Sequence, residues 1–316
     1  MTFNDNAQLD TSQVGGGGGG GFRPGGMVLG GGGGCLSVIV LLVVLFLNGG
    51  LGGGDGQQTP ADPGQAGPTM NRGGVGGGGQ LGSDQFSDCR TGADANRDAR
   101  CRVIGTVNSV QDYWSKALPA QSNGRYEWQP TKTILYQGQT RSDCGQASNE
   151  VGPFYCPIDR QVYIDASFFD LLTRQFGADS GALAQEYVVA HEYGHALQDQ
   201  LGLLERAQQD PKGPESGGVR IELMADCLAG MWAKDASTTK DANGNTLLEP
   251  LTQQDIDSAL SAATAVGDDQ IQKKSQGRVS PENFTHGTAD QRRRWFMTGY
   301  TKGSLNACNT LDARSL

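Results

Sequence analysis

Two histidines and a glutamate between residues 191 and 195 have the spacing of a metal-binding motif. His191, Glu192 and His195 form the pattern HExxH. Residues four apart in an α-helix point from the same face, so both imidazoles can converge on one ion, and zinc is the expected one. Glu192 would lie beside this ion, where it can take a proton from the attacking water and hand it to a leaving amine. The motif therefore predicts a zinc-dependent hydrolase.

A catalytic zinc site needs a third protein ligand, and a later helical segment supplies a candidate. Such sites combine three protein ligands with one open position. The long form of the motif would place its third histidine at Leu201, so that subclass is excluded. Glu222 and Asp226 are four residues apart in an apolar segment, where carboxylates need partners. We expect Glu222 to bind zinc and Asp226 to accept a hydrogen bond from a ligating histidine. The alternative is a pair of acids facing solvent.

The remaining histidine of the chain, His286, stands just before a helix start. Thr288 and Gln291 have the spacing of a capping box and predict a helix through Tyr300. A histidine close to the zinc could donate a hydrogen bond to the oxyanion that develops on the substrate. His286 is therefore a second candidate catalytic residue, and a local loop contact is its alternative role.

Capping and periodicity predict the elements that position these residues. Ser180 can cap the HExxH helix, Ala182–Gln200 contains no proline, and Gly202 can close it. Upstream, β-branched and aromatic residues predict three strands, at Lys132–Tyr136, Phe154–Cys156 and Val162–Asp165. The expected fold class is α+β, a mostly helical zincin-like domain with a small β-sheet beside the HExxH helix.

Six cysteines follow the glycine-rich part of the chain. An even number in a globular domain suits three disulfides and an oxidising compartment. Six cysteines allow fifteen pairings. Proximity in the sequence favours the pairs Cys89–Cys101 and Cys144–Cys156, which leaves Cys227–Cys308 as the third pair. Six reduced thiols in a cytosolic domain are the alternative.

Glycine divides the chain of 316 residues into an N-terminal region and one globular domain. Of its 49 glycines, 29 fall between Gly15 and Gly82, and this composition cannot offset its ordering entropy with a packed core. The expected organisation is, in order, a disordered Gly-rich tail (1–26), a transmembrane helix (27–51), a flexible Gly/Pro-rich linker (52–82) and the domain that holds the zinc motif (83–316).

The apolar run in the N-terminal region predicts attachment to a membrane. Met27–Leu51 carries no charge, and the centre of this run is almost wholly apolar. With its flanks it reaches the roughly 20 residues that a spanning helix needs. No small-x-small site follows the run, which argues against a cleaved signal peptide. Because the six cysteines that are expected to form disulfides all lie beyond it, we expect a single-pass protein of the cell membrane with an extracytoplasmic catalytic domain.

Several motifs together resemble one known family. They are HEYGHALQDQLG, IELMADCLAGMW, GDDQIQ followed by THGTADQRRRWF, and the upstream VGPFYCPIDRQVYIDASFF. In order and spacing, over roughly residues 80–308, they are similar to the bacterial "putative neutral zinc metallopeptidases", a gluzincin-like family with a downstream Glu ligand. The resemblance implies a membrane-tethered peptidase with one zinc, held by His191, His195 and Glu222, and with Glu192 as the base.

The expected function is hydrolysis of peptide bonds, with a peptide or protein as substrate. A formal net charge of −9 without a basic patch argues against a nucleic-acid partner. The alternative function is a catalytically silent, zinc-containing binding module on the cell surface. Glu192 separates the two, because a binding module needs no base at that position.

Overall fold

The computed structural model describes residues 1–16, 86–148 and 151–316. The helices of these ranges, in chain order, are α1 (Gly92–Arg97), α2 (Ala99–Gln121), α3 (Phe168–Arg174), α4 (Ala182–Gln200), α5 (Glu205–Gln209), α6 (Gly217–Asp235), α7 (Gln253–Ala265), α8 (Asp268–Gln276) and α9 (Ala289–Lys302). The strands are β1 (Val14–Gly16), β2 (Lys132–Tyr136), β3 (Gln139–Ser142), β4 (Gly145–Ser148), β5 (Phe154–Cys156) and β6 (Gln161–Asp165). The predicted α+β class, mostly helical with a small sheet, is confirmed.

The HExxH helix, α4, has the predicted length but a different start. Its N-cap is Gly181, which offers no side chain to the first turn, whereas Ser180 was the expected cap. Gly202 ends the helix in the left-handed region at φ +69°, where a residue without Cβ is unstrained. Most of the helix is buried, so packing rather than capping fixes its ends.

Helix α6 is packed between α4 and α9. A Cβ atom on Gly230 of α6 would lie 2.0 Å from the carbonyl oxygen of Phe296, and one on Gly299 of α9 would lie 1.8 Å from that of Cys227. The backbones of α6 and α9 therefore touch, which only glycine permits. On the other side of α6, a Cβ atom on Gly194 of α4 would lie 3.0 Å from Cα of Ala225. These approaches bring the two metal-motif helices together.

A four-stranded sheet lies beside α4, in the order β1-β2-β6-β5. β1, β2 and β6 run parallel, and β5 is antiparallel to β6. The turn between β5 and β6 occupies positions 157–160. Strands β3 and β4, which the sequence did not predict, form a separate two-stranded hairpin.

Residues 1–16 correct the prediction of a disordered tail over 1–26. Met1 and Phe3 are each 1% exposed, and β1 adds a parallel strand to β2. The glycine run begins only at Gly15, so the residues before it have enough apolar surface to bury. Residues 17–26 lie outside the described residues.

The predicted transmembrane helix at 27–51 and the linker at 52–82 also lie outside the described residues. Among the helices that the structure does describe, none combines the length and the apolar character needed to cross a bilayer.

Three disulfides join the cysteines in the pairs that sequence proximity favoured. Their Cα–Cα distances are 4.9 Å, 5.8 Å and 5.5 Å for Cys89–Cys101, Cys144–Cys156 and Cys227–Cys308, respectively. The last pair ties the middle of α6 to the C-terminal segment.

Candidate metal centre

His191, His195 and Glu222 form one buried cluster at the crossing of α4 and α6. Their possible ligand atoms all lie within 4.8 Å of one another. Nε2 of His191 is 3.2 Å from one carboxylate oxygen of Glu222, and Nε2 of His195 is 3.5 Å from the other. The structure thus brings together the three residues expected to hold zinc.

The outer nitrogen of each histidine has its own partner. Nδ1 of His191 lies 2.9 Å from Oδ1 of Asp226, the residue predicted for this place. Nδ1 of His195 lies 2.8 Å from Oε1 of Gln198, whose Nε2 donates to the carbonyl of Ile221 at 2.7 Å. Each imidazole therefore turns its Nε2 toward Glu222, which is the orientation that ligating histidines require.

Sequence reasoning missed Gln198, although a signal was present. It follows His195 by three residues, which places both on one face of the helix. In the structure its side chain is fully buried, and a buried amide must find hydrogen-bond partners.

Sequence reasoning also missed Arg292, because nothing local distinguishes it from the two arginines that follow it. Arg292 is 1% exposed and holds Asp226 with two hydrogen bonds, from Nε at 2.8 Å and from Nη2 at 2.9 Å. Nη2 also donates to the hydroxyl of Tyr187 at 3.2 Å, and Tyr187 itself donates to Asp226. A chain of polar contacts therefore runs from α9 to the ligand His191.

Charges within the cluster set the protonation of its members. Burial acts to raise the pKa of Asp226, but the charges and hydrogen bonds of Arg292 and His191 together outweigh burial and lower it. Burial also acts to raise the pKa of Glu222, but the surrounding histidines, His195, His286 and His191, together outweigh burial and lower it. Both carboxylates are therefore ionised, as a metal ligand and its supporting acid must be.

The pKa values of the two histidines are shifted in opposite directions. Burial acts to lower the pKa of His191, but the hydrogen bonds and negative charges of Asp226 and Glu222 together outweigh burial and raise it to about 9. Burial lowers the pKa of His195 to about 4. A metal ion would therefore displace a proton from His191 and find His195 already neutral.

Glu192 is buried beside the cluster, and the pKa of its carboxyl is raised. Its side chain is 2% exposed, and burial raises the pKa of its carboxyl to about 7. The backbone N–H of Tyr155, in β5, donates to this carboxylate and ties the sheet to the centre. A carboxylate with a pKa near neutrality is suited to taking up and releasing a proton there.

His286 is held rigidly next to the cluster. Its Nδ1 lies 3.2 Å from Oδ1 of Asp268 and 3.1 Å from the hydroxyl of Thr285. Asp268 also accepts the backbone N–H groups of Thr285 and His286, each at 2.7 Å. Nε2 of His286 is buried without a hydrogen-bond partner among the described residues. This nitrogen is available to a group that enters the site.

The donor set fits zinc. Two imidazole nitrogens and one carboxylate oxygen are the ligand combination of many catalytic zinc sites. Both imidazoles have the outer hydrogen bond that such ligands carry. The centre could therefore bind the ion and leave a position open for water or substrate.

Comparison with known proteins gives the family. The family model described as "Putative neutral zinc metallopeptidase" matches residues 3–311. The uncharacterized protein Rv2575 of Mycobacterium tuberculosis H37Rv is 51% identical over 232 residues, which are 73% of this chain and 77% of the relative. The uncharacterized protein YpfJ of Escherichia coli K12 is 40% identical over 223 residues, 68% of this chain and 72% of the relative. No solved structure matches. The chain belongs to the neutral zinc metallopeptidase family, as its motifs predicted.

Proposed function

We propose that the protein is a zinc-dependent peptidase that hydrolyses peptide bonds. The observation that carries the proposal is the convergence of His191, His195 and Glu222 next to the buried carboxyl of Glu192. Zinc, when bound, supplies Lewis-acid polarisation of the scissile carbonyl and lowers the pKa of a water molecule. The remaining steps belong to residues of the chain.

Glu192 acts as the general base and then as the general acid. Its carboxylate takes a proton from the attacking water and delivers that proton to the nitrogen of the leaving amine. The pKa of about 7 suits both transfers, because neither protonation state is strongly favoured at neutral pH. A silent zinc-binding module has no use for a buried ionisable group in this position, so Glu192 favours the peptidase.

His286 stabilises negative charge on the substrate. Asp268 and Thr285 hold its Nδ1. When Nδ1 donates to Asp268, Nε2 carries a hydrogen only in the imidazolium form, and in that form it can donate toward the carbonyl oxygen. Such a preorganised donor acts on charge that develops in the transition state and is worth more in a buried site than in water.

The two roles of the centre are tested separately. Metal analysis of the full chain is expected to find about one zinc per protein, and His191→Ala or Glu222→Ala is expected to remove it. Full zinc content after Glu222→Ala would exclude that ligand and promote His286. Cleavage of a broad peptide library, followed by mass spectrometry, is the test of peptidase activity.

Glu192→Gln tests the base. Glutamine keeps the shape and hydrogen bonding of the side chain but cannot accept the proton, so turnover is expected to fall by at least about 10²–10⁴-fold. Zinc content and fold are expected to stay. The matched control is Glu186→Gln, the same change at another buried position of α4. Unchanged turnover in Glu192→Gln would contradict the mechanism.

We propose an oxidising compartment for the domain. Three disulfides in one domain support this location, since they persist where the medium is oxidising. Attachment through the apolar run 27–51 stays a prediction, because that run lies outside the described residues.

A further inference from the structure

Two asparagines of the domain clamp the backbone of the N-terminal segment, Met1–Gly16. The side chain of Asn96 accepts from the N–H of Phe3 at 2.8 Å and donates to its carbonyl at 2.9 Å. Asn108 does the same to Asp10, at 2.8 Å and 2.9 Å. Each amide thereby replaces the two hydrogen bonds that a neighbouring strand would give, and both lie on the surface that faces the segment.

Two glycines of the domain make room for the segment. A Cβ on Gly92 would lie 1.9 Å from the carbonyl oxygen of Asn4, and one on Gly105 would lie 2.4 Å from the ring of Phe3. Phe3 itself is 1% exposed. The surface of the domain is therefore shaped to this backbone and this aromatic ring.

Backbone pairing extends along the whole segment. Val14, Gly15 and Gly16 of β1 pair in parallel with β2. Nearer the start, the N–H of Asn4 donates to the carbonyl of Leu247 at 3.0 Å, and the N–H of Leu9 donates to the carbonyl of Arg90 at 2.9 Å. The segment thus contacts parts of the domain that are far apart in sequence, and it completes both the sheet and the core.

We propose that Met1–Gly16 is a built-in part of the catalytic domain and lies with it on the same side of the membrane. Two segments that share a sheet and a core occupy one compartment. A single crossing by the run at 27–51, with the N-terminus inside and the domain outside, would separate them. The proposal therefore competes with the single-pass topology expected from the sequence, and it does not rest on peptidase activity.

Sidedness is tested in living cells with a membrane-impermeant maleimide. Full-length protein with Cys35→Ser, which removes the cysteine outside the three disulfides, carries either Asn6→Cys or Lys302→Cys; both positions are exposed. The labelled fraction, relative to that of permeabilised cells, is expected to agree between the two variants within about twofold. Labelling of one position and protection of the other would overturn the proposal.

Docking is tested by a designed cross-link in the same full-length background. Gln8 and Thr91 form an antiparallel bridge, so Gln8→Cys with Thr91→Cys is expected to give a disulfide within one chain. Peptide mapping by mass spectrometry identifies this bond and distinguishes it from exchange with Cys89. Gln8→Cys alone is the control. A cross-link only between two copies, or none while both thiols react with maleimide, would overturn the docking.

Discussion

Nδ1 of His195 lies 2.8 Å from Oε1 of Gln198, and the other end of that amide holds the carbonyl of Ile221 on α6. One side chain therefore orients a ligand and joins the two helices that carry the metal motif. Gln198 is a positioning residue, because it acts on the metal through His195.

Replacing Gln198 should weaken zinc binding without removing a ligand. Gln198→Leu leaves Nδ1 of His195 unpaired, and loss of such an outer partner typically costs about 10–100-fold in metal affinity. Gln198→Glu keeps an acceptor for Nδ1 and is expected to restore much of the affinity. Chelator competition measures the zinc Kd of each variant. An unchanged Kd in Gln198→Leu would show that the contact does not position the ligand.

Arg292 should matter for stability far more than its neighbours in sequence. Arg292→Met leaves Asp226 buried without its cation, and breaking a buried ion pair costs about 3–5 kcal/mol. Arg292→Lys keeps the charge but cannot make both hydrogen bonds to Asp226. Its stability is expected to lie between those of the wild type and Arg292→Met. The exposed Arg293 supplies the matched control, Arg293→Met. Denaturant unfolding measures all three, and equal losses in Arg292→Met and Arg293→Met would contradict the network.

His286→Ala should lower kcat while zinc stays bound. Removal of one donor to an oxyanion typically costs about 10²–10³-fold in kcat. His286→Gln, which keeps a side-chain donor, is expected to retain more activity. Zinc content measured alongside separates the possibilities, because a variant that loses its zinc would make His286 a ligand.

Glu186→Gln should change how stability depends on pH. Burial raises the pKa of Glu186 to about 7 from its ordinary 4.5, so the folded state holds this proton more tightly than the unfolded state. Its contribution to stability is greatest below pH 4.5, falls as pH rises from 4.5 to 7, and stays low above 7. A shift of this size corresponds to about 3 kcal/mol.

The variant should therefore match the wild type near pH 4.5 and be more stable by up to that amount at pH 8. Unfolding in guanidinium at both pH values, with the disulfides intact, measures the difference. A constant difference in the free energy of unfolding between the two proteins across this pH range would show that the pKa of Glu186 does not change on folding.

The contacts that depend only on residues close together in the sequence were predicted. The i,i+4 pairs His191/His195 and Glu222/Asp226 share helix faces because 3.6 residues make a turn. The predicted capping box at Thr288 is also present, because it depends only on residues three apart.

What depends on distant partners was not predicted. Arg292 differs from Arg293 only in which face of α9 packs on α6, and nothing local marks that face as buried. The N-terminal segment was assigned to a disordered tail because the glycine run dominates its composition. Its order comes from Asn96 and Asn108, which follow roughly 90 residues later or more.

The place of Phe3 in the fold has a consequence for the order of synthesis. Phe3 bridges to Leu248, about 245 residues later, so at roughly 5–20 residues per second the ribosome needs about 10–50 s to make its partner. Until then the apolar start of the chain has no complete binding surface. Contacts of such separation also close slowly, because much loop entropy is lost before they form. Phe3 and its neighbours thus leave the ribosome long before Leu248, and they are among the last residues to reach their native contacts.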